Sequence, residues 1–320
     1  MHFQILLSNL TNPTILFFVL GMIAIWVKSD LEVPASSSKF ISLYLLFSIG
    51  FKGGQELAIG GFNAEVINSL WFGVLIASLI PLYVFFLLKK RLNVYNSGAI
   101  AASYGSVSAV TFVAAIGFLE IQQLSSGGHM VAVMALMEAP AIIVGVMLMM
   151  RYDKEASEKQ HMSGIVSHSL TNGSVLMILG SLLIGLIADA KQAEGIKPFT
   201  TDIFKGFLAI FLLEMGMLTA KRIKVFRDYG LVVVLFALLI PALNGCVVAI
   251  ASGWITANPG DRFIFAILAA SASYIAVPAA MRMAAPKADP GLYLPMALGV
   301  TFPFNITIGM PLYYMIVQHT

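Results

Sequence analysis

Val74-Leu75-Ile76-Ala77-Ser78-Leu79-Ile80-Pro81 and Val234-Leu235-Phe236-Ala237-Leu238-Leu239-Ile240-Pro241 agree at six of eight positions, each apolar run closed by a proline. One such match can arise from apolar composition alone. Three more follow in the same order: Leu10-Thr11-Asn12 with Leu170-Thr171-Asn172, Ala101-Ala102-Ser103 with Ala269-Ala270-Ser271, and Met134-Ala135-Leu136 with Met296-Ala297-Leu298. Four matches at similar offsets indicate a duplicated chain. If each copy crosses a bilayer an odd number of times, the second enters from the opposite side, and the repeat is inverted.

The rest of the sequence places that repeat in a membrane. Of 320 residues, 59% are hydrophobic and only 11% charged, with a mean hydropathy of +0.89. A water-soluble surface needs far more charge. Apolar stretches near 12–27, 38–51, 68–88, 96–118 and 129–150, then 171–188, 202–219, 230–254, 263–281 and 292–317, predict ten transmembrane helices. The expected fold is an all-α polytopic membrane protein built as a five-plus-five repeat: residues 1–150, a cytoplasmic connection 151–168, and residues 169–320. The first apolar run, Met1 to Val27, carries no Lys or Arg and reads as a retained span, not a signal peptide.

Loops following the odd-numbered spans hold 14 Lys and Arg, among them Lys89, Lys90, Arg91, Lys221, Arg222, Lys224 and Arg227; the opposite side holds 5. Positive loops stay cytoplasmic, which predicts both termini outside the plasma membrane. That placement also accounts for the net charge of +3 without nucleic acid. A single cysteine, Cys246, precludes an internal disulfide, and five scattered histidines offer no metal-ligand spacing.

An inverted repeat supports alternating access, with the ligand between the halves at discontinuous helices. Spans 4 and 9 carry hydroxyls next to a helix breaker: Ser103, Gly105, Ser106, Ser108 and Thr111 in one, Ser271, Ser273, Tyr274 and Pro278 in the other. Unwinding there exposes amides for an anion, and carbonyls and hydroxyls for Na⁺. These eight residues other than Pro278 are the candidate substrate site. Small residues also allow close helix packing, and a proline can simply kink a helix, so a structural role stands beside the functional one.

Two acids fall within spans. An ionised acid at the bilayer centre costs about 2.5–3.5 kcal/mol on insertion scales, so each needs a partner or a role. Glu138, in Leu136-Met137-Glu138-Ala139-Pro140, is the candidate ion or proton site; its proline is paralleled by Pro303, near Thr301 and Asn305. Glu138, Ser273 and Asn305 are the candidate Na⁺ ligands, the alternative for Glu138 being a structural acid bonded to a neighbouring helix. Glu214 reads more simply as an acid near the membrane surface. Gly50-Phe51-Lys52-Gly53-Gly54-Gln55 is expected to form a flexible connection or a tight turn, with Lys52 at the interface.

The arrangement resembles the sodium-dependent bicarbonate transporter family. The resemblance is carried by Asn12-Pro13-Thr14, Ile49-Gly50-Phe51-Lys52-Gly53-Gly54, Met137-Glu138-Ala139-Pro140-Ala141, Met215-Gly216-Met217 and Ala269-Ala270-Ser271-Ala272-Ser273, and spans essentially the whole chain. It implies unwound, crossing helices 4 and 9 and a mobile core domain (spans 3–5 and 8–10) moving against a gate domain (spans 1–2 and 6–7). It also implies a homotrimer, Na⁺-coupled bicarbonate uptake and a PII-like cytoplasmic regulator. No cofactor beyond the coupling ion is expected. Where the family typically has an acid in span 9 this chain has Tyr274, a serine is replaced by Ala276, and a Gly-Ser pair of span 4 is replaced by Ala109-Val110.

The leading expectation is therefore a secondary transporter of bicarbonate or a similar small anion, coupled to Na⁺. Alternatives are a carrier of a small organic acid, a proton-coupled relative using Glu138, and a non-transporting sensor. A membrane hydrolase is disfavoured because no His lies within a span near the serine runs and no His-Glu-x-x-His occurs.

Overall fold

The computed structural model describes residues 13–61, 63–153, 173–223 and 230–320, apart from the side chains at 14, 174, 222, 223, 279, 282 and 283. The Leu10–Asn12 and Leu170–Asn172 match, most of the 151–168 connection, Lys224 and Arg227 lie outside these residues. Among the described residues the chain is helical, without strands. The helices are α1 (Pro13–Trp26), α2 (Ala35–Gly60), α3 (Ala64–Leu88), α4 (Val94–Gly105), α5 (Ala109–Ile121) and α6 (His129–Tyr152). They continue with α7 (Gly173–Ile187), α8 (Phe204–Ile223), α9 (Leu231–Ala251), α10 (Pro259–Ala270), α11 (Ala276–Ala284) and α12 (Pro290–His319). Among the described residues each of the ten predicted stretches contains helix, broken within 96–118 and 263–281, and six helical segments are long and apolar enough to cross a membrane.

Neighbours along the chain do not always pair. α2 packs along α7 and α1 along α8, whereas α3, α4 and α6 pack together, as do α9, α10 and α12. Lipid offers no hydrophobic drive between helices, so the tight pairs rely on small residues that let backbones meet. A side chain at Gly216 would strike the Phe18 carbonyl of α1, and one at Gly54 would strike the Leu182 carbonyl of α7. This corrects the expectation for residues 50–55: they form neither a loop nor a turn but lie inside α2, where Gly50 and Gly54 face α7.

α4, α5 and α10 are buried along nearly their whole length, while α3 and α9 expose Trp71, Leu75, Leu79, Leu239 and Leu243. Pro81 and Pro241, the residues that close the repeated stretch, both sit inside helices. A proline lacks the amide that would bond the carbonyl four residues earlier. For Pro241 that carbonyl belongs to Ala237, and the Thr301 hydroxyl of α12 donates to it at 2.8 Å. Tyr104 of α4 reaches the same Thr301 oxygen at 2.9 Å, and Tyr83 of α3 donates to Asn244 of α9. The freed Ala237 carbonyl is thus satisfied within the second half of the chain, while the Tyr104 bond to Thr301 and the Tyr83 bond to Asn244 tie the two halves together.

Candidate functional site

Helix stops twice in the middle of the buried core. α4 ends at Gly105 and α5 begins at Ala109, leaving Ser106, Val107 and Ser108 extended or irregular; α10 ends at Ala270 and α11 begins at Ala276. A break at membrane depth frees backbone groups that must be satisfied within the protein. The two breaks satisfy each other. The Ser103 hydroxyl donates to the Ser273 carbonyl at 2.7 Å, and the Ser273 amide returns a bond to the Ser103 carbonyl at 2.8 Å. The Ser108 amide donates to the Ser271 hydroxyl at 3.0 Å. Ser108 then caps α5 by accepting from the Thr111 amide at 3.1 Å, a use for which Ser is well suited. Asn305 of α12 donates to the Ala270 carbonyl at 2.7 Å, where α10 ends.

The break residues differ from those the sequence suggested. Gly105 is the last residue of α4, not the kink itself; a Cβ there would collide with Pro81 of α3. Pro278 does not interrupt anything. It lies in the first turn of α11, where its missing amide has no helical partner to lose. The interruption falls before it, over residues 271–275.

Beside the breaks lies a small cavity of about 40 Å³. Ser108, Ser273, Tyr274 and Glu138 line it, together with Ser42, Leu45 and Leu46 of α2, Phe211 of α8, and Val110 and Val113 of α5. The cavity thus touches four of the ten predicted site residues directly. Ser103, Gly105, Ser106, Thr111, Ser271 and Asn305 do not line it. They are buried behind it, and Ser103, Ser271 and Asn305 hold the breaks in place. Ser106 is fully buried, and its hydroxyl has no partner among the described residues. Glu214 is buried in α8 outside the cavity lining. The α2 and α8 wall gave no polar signal in the sequence apart from Ser42, whose neighbours read as lipid-facing or core bulk.

The cavity has an uncompensated character. Glu138 is half-buried and has no hydrogen-bond or ion-pair partner among the described residues. Among the described residues no Lys, Arg or His lines the space with it. Ala109 and Val110, in the first turn of α5, line the cavity, and helix geometry leaves first-turn amides without intrahelical partners. The Ser103 and Ser271 hydroxyls donate to the Ser273 and Leu268 carbonyls, the Ser108 hydroxyl accepts from the Thr111 amide, and among the described residues no base bonds to any of them.

A second space of about 60 Å³ lies further along the α2 and α5 seam, lined by Lys52, Glu56 and Glu120. Glu120 of α5 pairs with Lys52 of α2 at 3.7 Å and with Lys205 of α8 at 3.2 Å. Ile49 and Ile116 occupy the same seam between Lys52 and the cavity at the breaks.

Comparison with curated proteins finds no match. Family comparison does: the pattern of the Na⁺-dependent bicarbonate transporter superfamily matches residues 13–318, a stretch that includes both interrupted segments, and the chain therefore belongs to that superfamily.

Proposed function

We propose that the protein is a secondary active transporter that couples Na⁺ entry to uptake of bicarbonate or a similar small anion by alternating access. The single observation that carries this reading is the pair of facing helix breaks with a cavity beside them that is closed on its far side by α2 and α8. On this reading α3 to α6 and α9 to α12 form a mobile core from two inverted five-helix copies, and α1, α2, α7 and α8 form the gate. The separate packing of α1 with α8 and α2 with α7 supports that division. The proposed orientation, with both termini outside the plasma membrane, rests on the bias of Lys and Arg between loops.

Charge balance favours a coupled cation. An anion entering a cavity that already holds the Glu138 carboxylate meets a like charge at low dielectric, and a cation or proton bound with it removes the repulsion. Glu138 and Ser273 line the cavity and are the proposed ligands of that cation; Asn305 supports them by fixing the end of α10. The first-turn amides of α5 and the hydroxyls of Ser108 and Tyr274 are the proposed anion contacts. A homotrimer and a PII-like regulator remain proposals from family membership.

The test is uptake of labelled bicarbonate into proteoliposomes under an inward Na⁺ gradient. Uptake well above protein-free vesicles that collapses without Na⁺ is expected. Absence of Na⁺-driven flux for bicarbonate and for every other small anion refutes the transporter reading.

A further inference from the structure

We infer that the fold carries a binding site for an anionic phospholipid, with an acyl chain in a cavity between α3, α9 and α12 and the phosphate on Arg91. This space, about 380 Å³, is far larger than the one at the breaks and falls within the roughly 300–1,000 Å³ of small-molecule pockets. Its floor is Leu88 at the end of α3, Val233 and Phe236 of α9, and Met296 of α12, all buried; exposed Val232 and Arg91 border it. Phe236 cannot swing in to fill it without leaving Tyr104, whose ring it meets edge-on at 5.4 Å. An empty space forfeits the contacts of its lining, and apart from Arg91 this lining offers water no hydrogen bond, so hydrocarbon is the occupant that fits. α3 and α9 present exposed Leu87 and Leu235, so a chain can enter from the bilayer. The charge at the rim says what head group that chain carries. Arg91 is exposed, and its guanidinium has no partner among the described residues. Among those residues no Asp or Glu lines the space. Neighbouring Lys90 is exposed as well, whereas Lys89 is spent on the Tyr152 ring, 3.7 Å from its ammonium. A guanidinium meets a phosphate with two parallel bonds. The bias of Lys and Arg between loops assigns this end to the cytoplasmic leaflet, whose anionic lipids seek basic pockets between helices.

The test is native mass spectrometry of the full chain, released from detergent after titration with phosphatidylglycerol or with phosphatidylcholine of the same acyl chains. One basic side chain at a membrane surface is worth about fivefold in affinity for an anionic lipid. The first phosphatidylglycerol is therefore expected to bind at least about fivefold more tightly than phosphatidylcholine. Arg91→Gln is expected to erase that preference. Lys39→Gln, which removes an exposed positive charge from α2, a helix that does not border the cavity, is expected to keep it. Val233→Trp fills the space and is expected to weaken the binding of both lipids; if that variant does not fold, the comparison of Arg91→Gln with Lys39→Gln decides the matter. Equal binding of the two lipids, a preference that survives Arg91→Gln, or an equal loss in Lys39→Gln overturns the assignment. So does undiminished lipid binding by folded Val233→Trp, which would place the chain elsewhere on the protein. Displacement of the lipid by millimolar inorganic phosphate overturns it in favour of a soluble phosphate on Arg91. None of these readouts involves uptake, so the lipid site and the transporter reading stand or fall separately.

Discussion

Removing the Ser103 hydroxyl tests whether the two breaks hold each other. In the structure it donates to the Ser273 carbonyl at 2.7 Å, and both residues are buried. In Ser103→Ala that buried carbonyl loses its side-chain donor, and a buried polar group left unsatisfied costs about 1–3 kcal/mol. Ser106→Ala is the matched control: it removes the same atom from the same break, but that oxygen has no partner among the described residues. Its loss is expected to cost nothing measurable. Both variants are purified in the same detergent, and their unfolding is followed by denaturant titration, with bicarbonate binding measured alongside. Ser103→Ala is expected to lose about 1–3 kcal/mol and to bind anion more weakly, since the carbonyl it supports belongs to a residue lining the cavity. Equal losses in the two variants, or a larger one in Ser106→Ala, would refute the claim that the Ser103 bond positions the break. A cycle pairing Ser103→Ala with Ser271→Ala should then give non-additive losses, because both bonds tie the same two segments.

Glu138→Gln removes the one carboxylate that lines the cavity among the described residues and is expected to abolish the Na⁺ dependence of uptake while retaining anion binding; an unchanged Na⁺ titration counts against the proposed coupling role. Gly216→Leu, which must strike the Phe18 carbonyl, is expected to lose at least about 1–3 kcal/mol and to release α1 from α8, visible as faster proteolysis of the N-terminal segment; native resistance would show the contact to be dispensable. Glu120→Gln breaks both lysine pairs. Because all three side chains are partly exposed, stability should fall by no more than about 1 kcal/mol. An Ile116→Cys probe in a Cys246→Ala background should nevertheless label faster with an impermeant thiol reagent in the Glu120→Gln protein if Glu120 holds α5 to α2 and α8, and an unchanged rate argues otherwise.

The sites of helix interruption were legible because the same residue types solve two problems. Hydroxyls such as those of Ser103, Ser108 and Ser271 can replace backbone partners when a helix stops inside a bilayer, so their clustering in a long apolar run marks where stopping is tolerated. Their exact point of use was not legible. Pro278 is the strongest breaker by composition, yet in the structure it merely opens α11 and the chain unwinds before it. Proline is as compatible with a first turn as it is hostile to a helix interior, and only the position of the preceding residues distinguishes the two. Likewise Gly50 and Gly54 read as a flexible connection, because a glycine run looks the same whether it bends the chain or admits a neighbouring backbone; α7 decides for the second.

By itself, then, the sequence determined that the chain belongs in a membrane as helices and that two segments carry the means to unwind. Those properties are local or periodic, and each is written in consecutive residues. Tertiary structure alone decided which hydroxyls face open space and which are spent on holding the breaks, and it supplied the far wall from Leu45, Leu46 and Phe211. An apolar residue pointing into a cavity, into lipid or into a packed core is chemically the same letter. What separates the three is the neighbour it meets, and α2 and α8 reach the breaks only by packing across the fold.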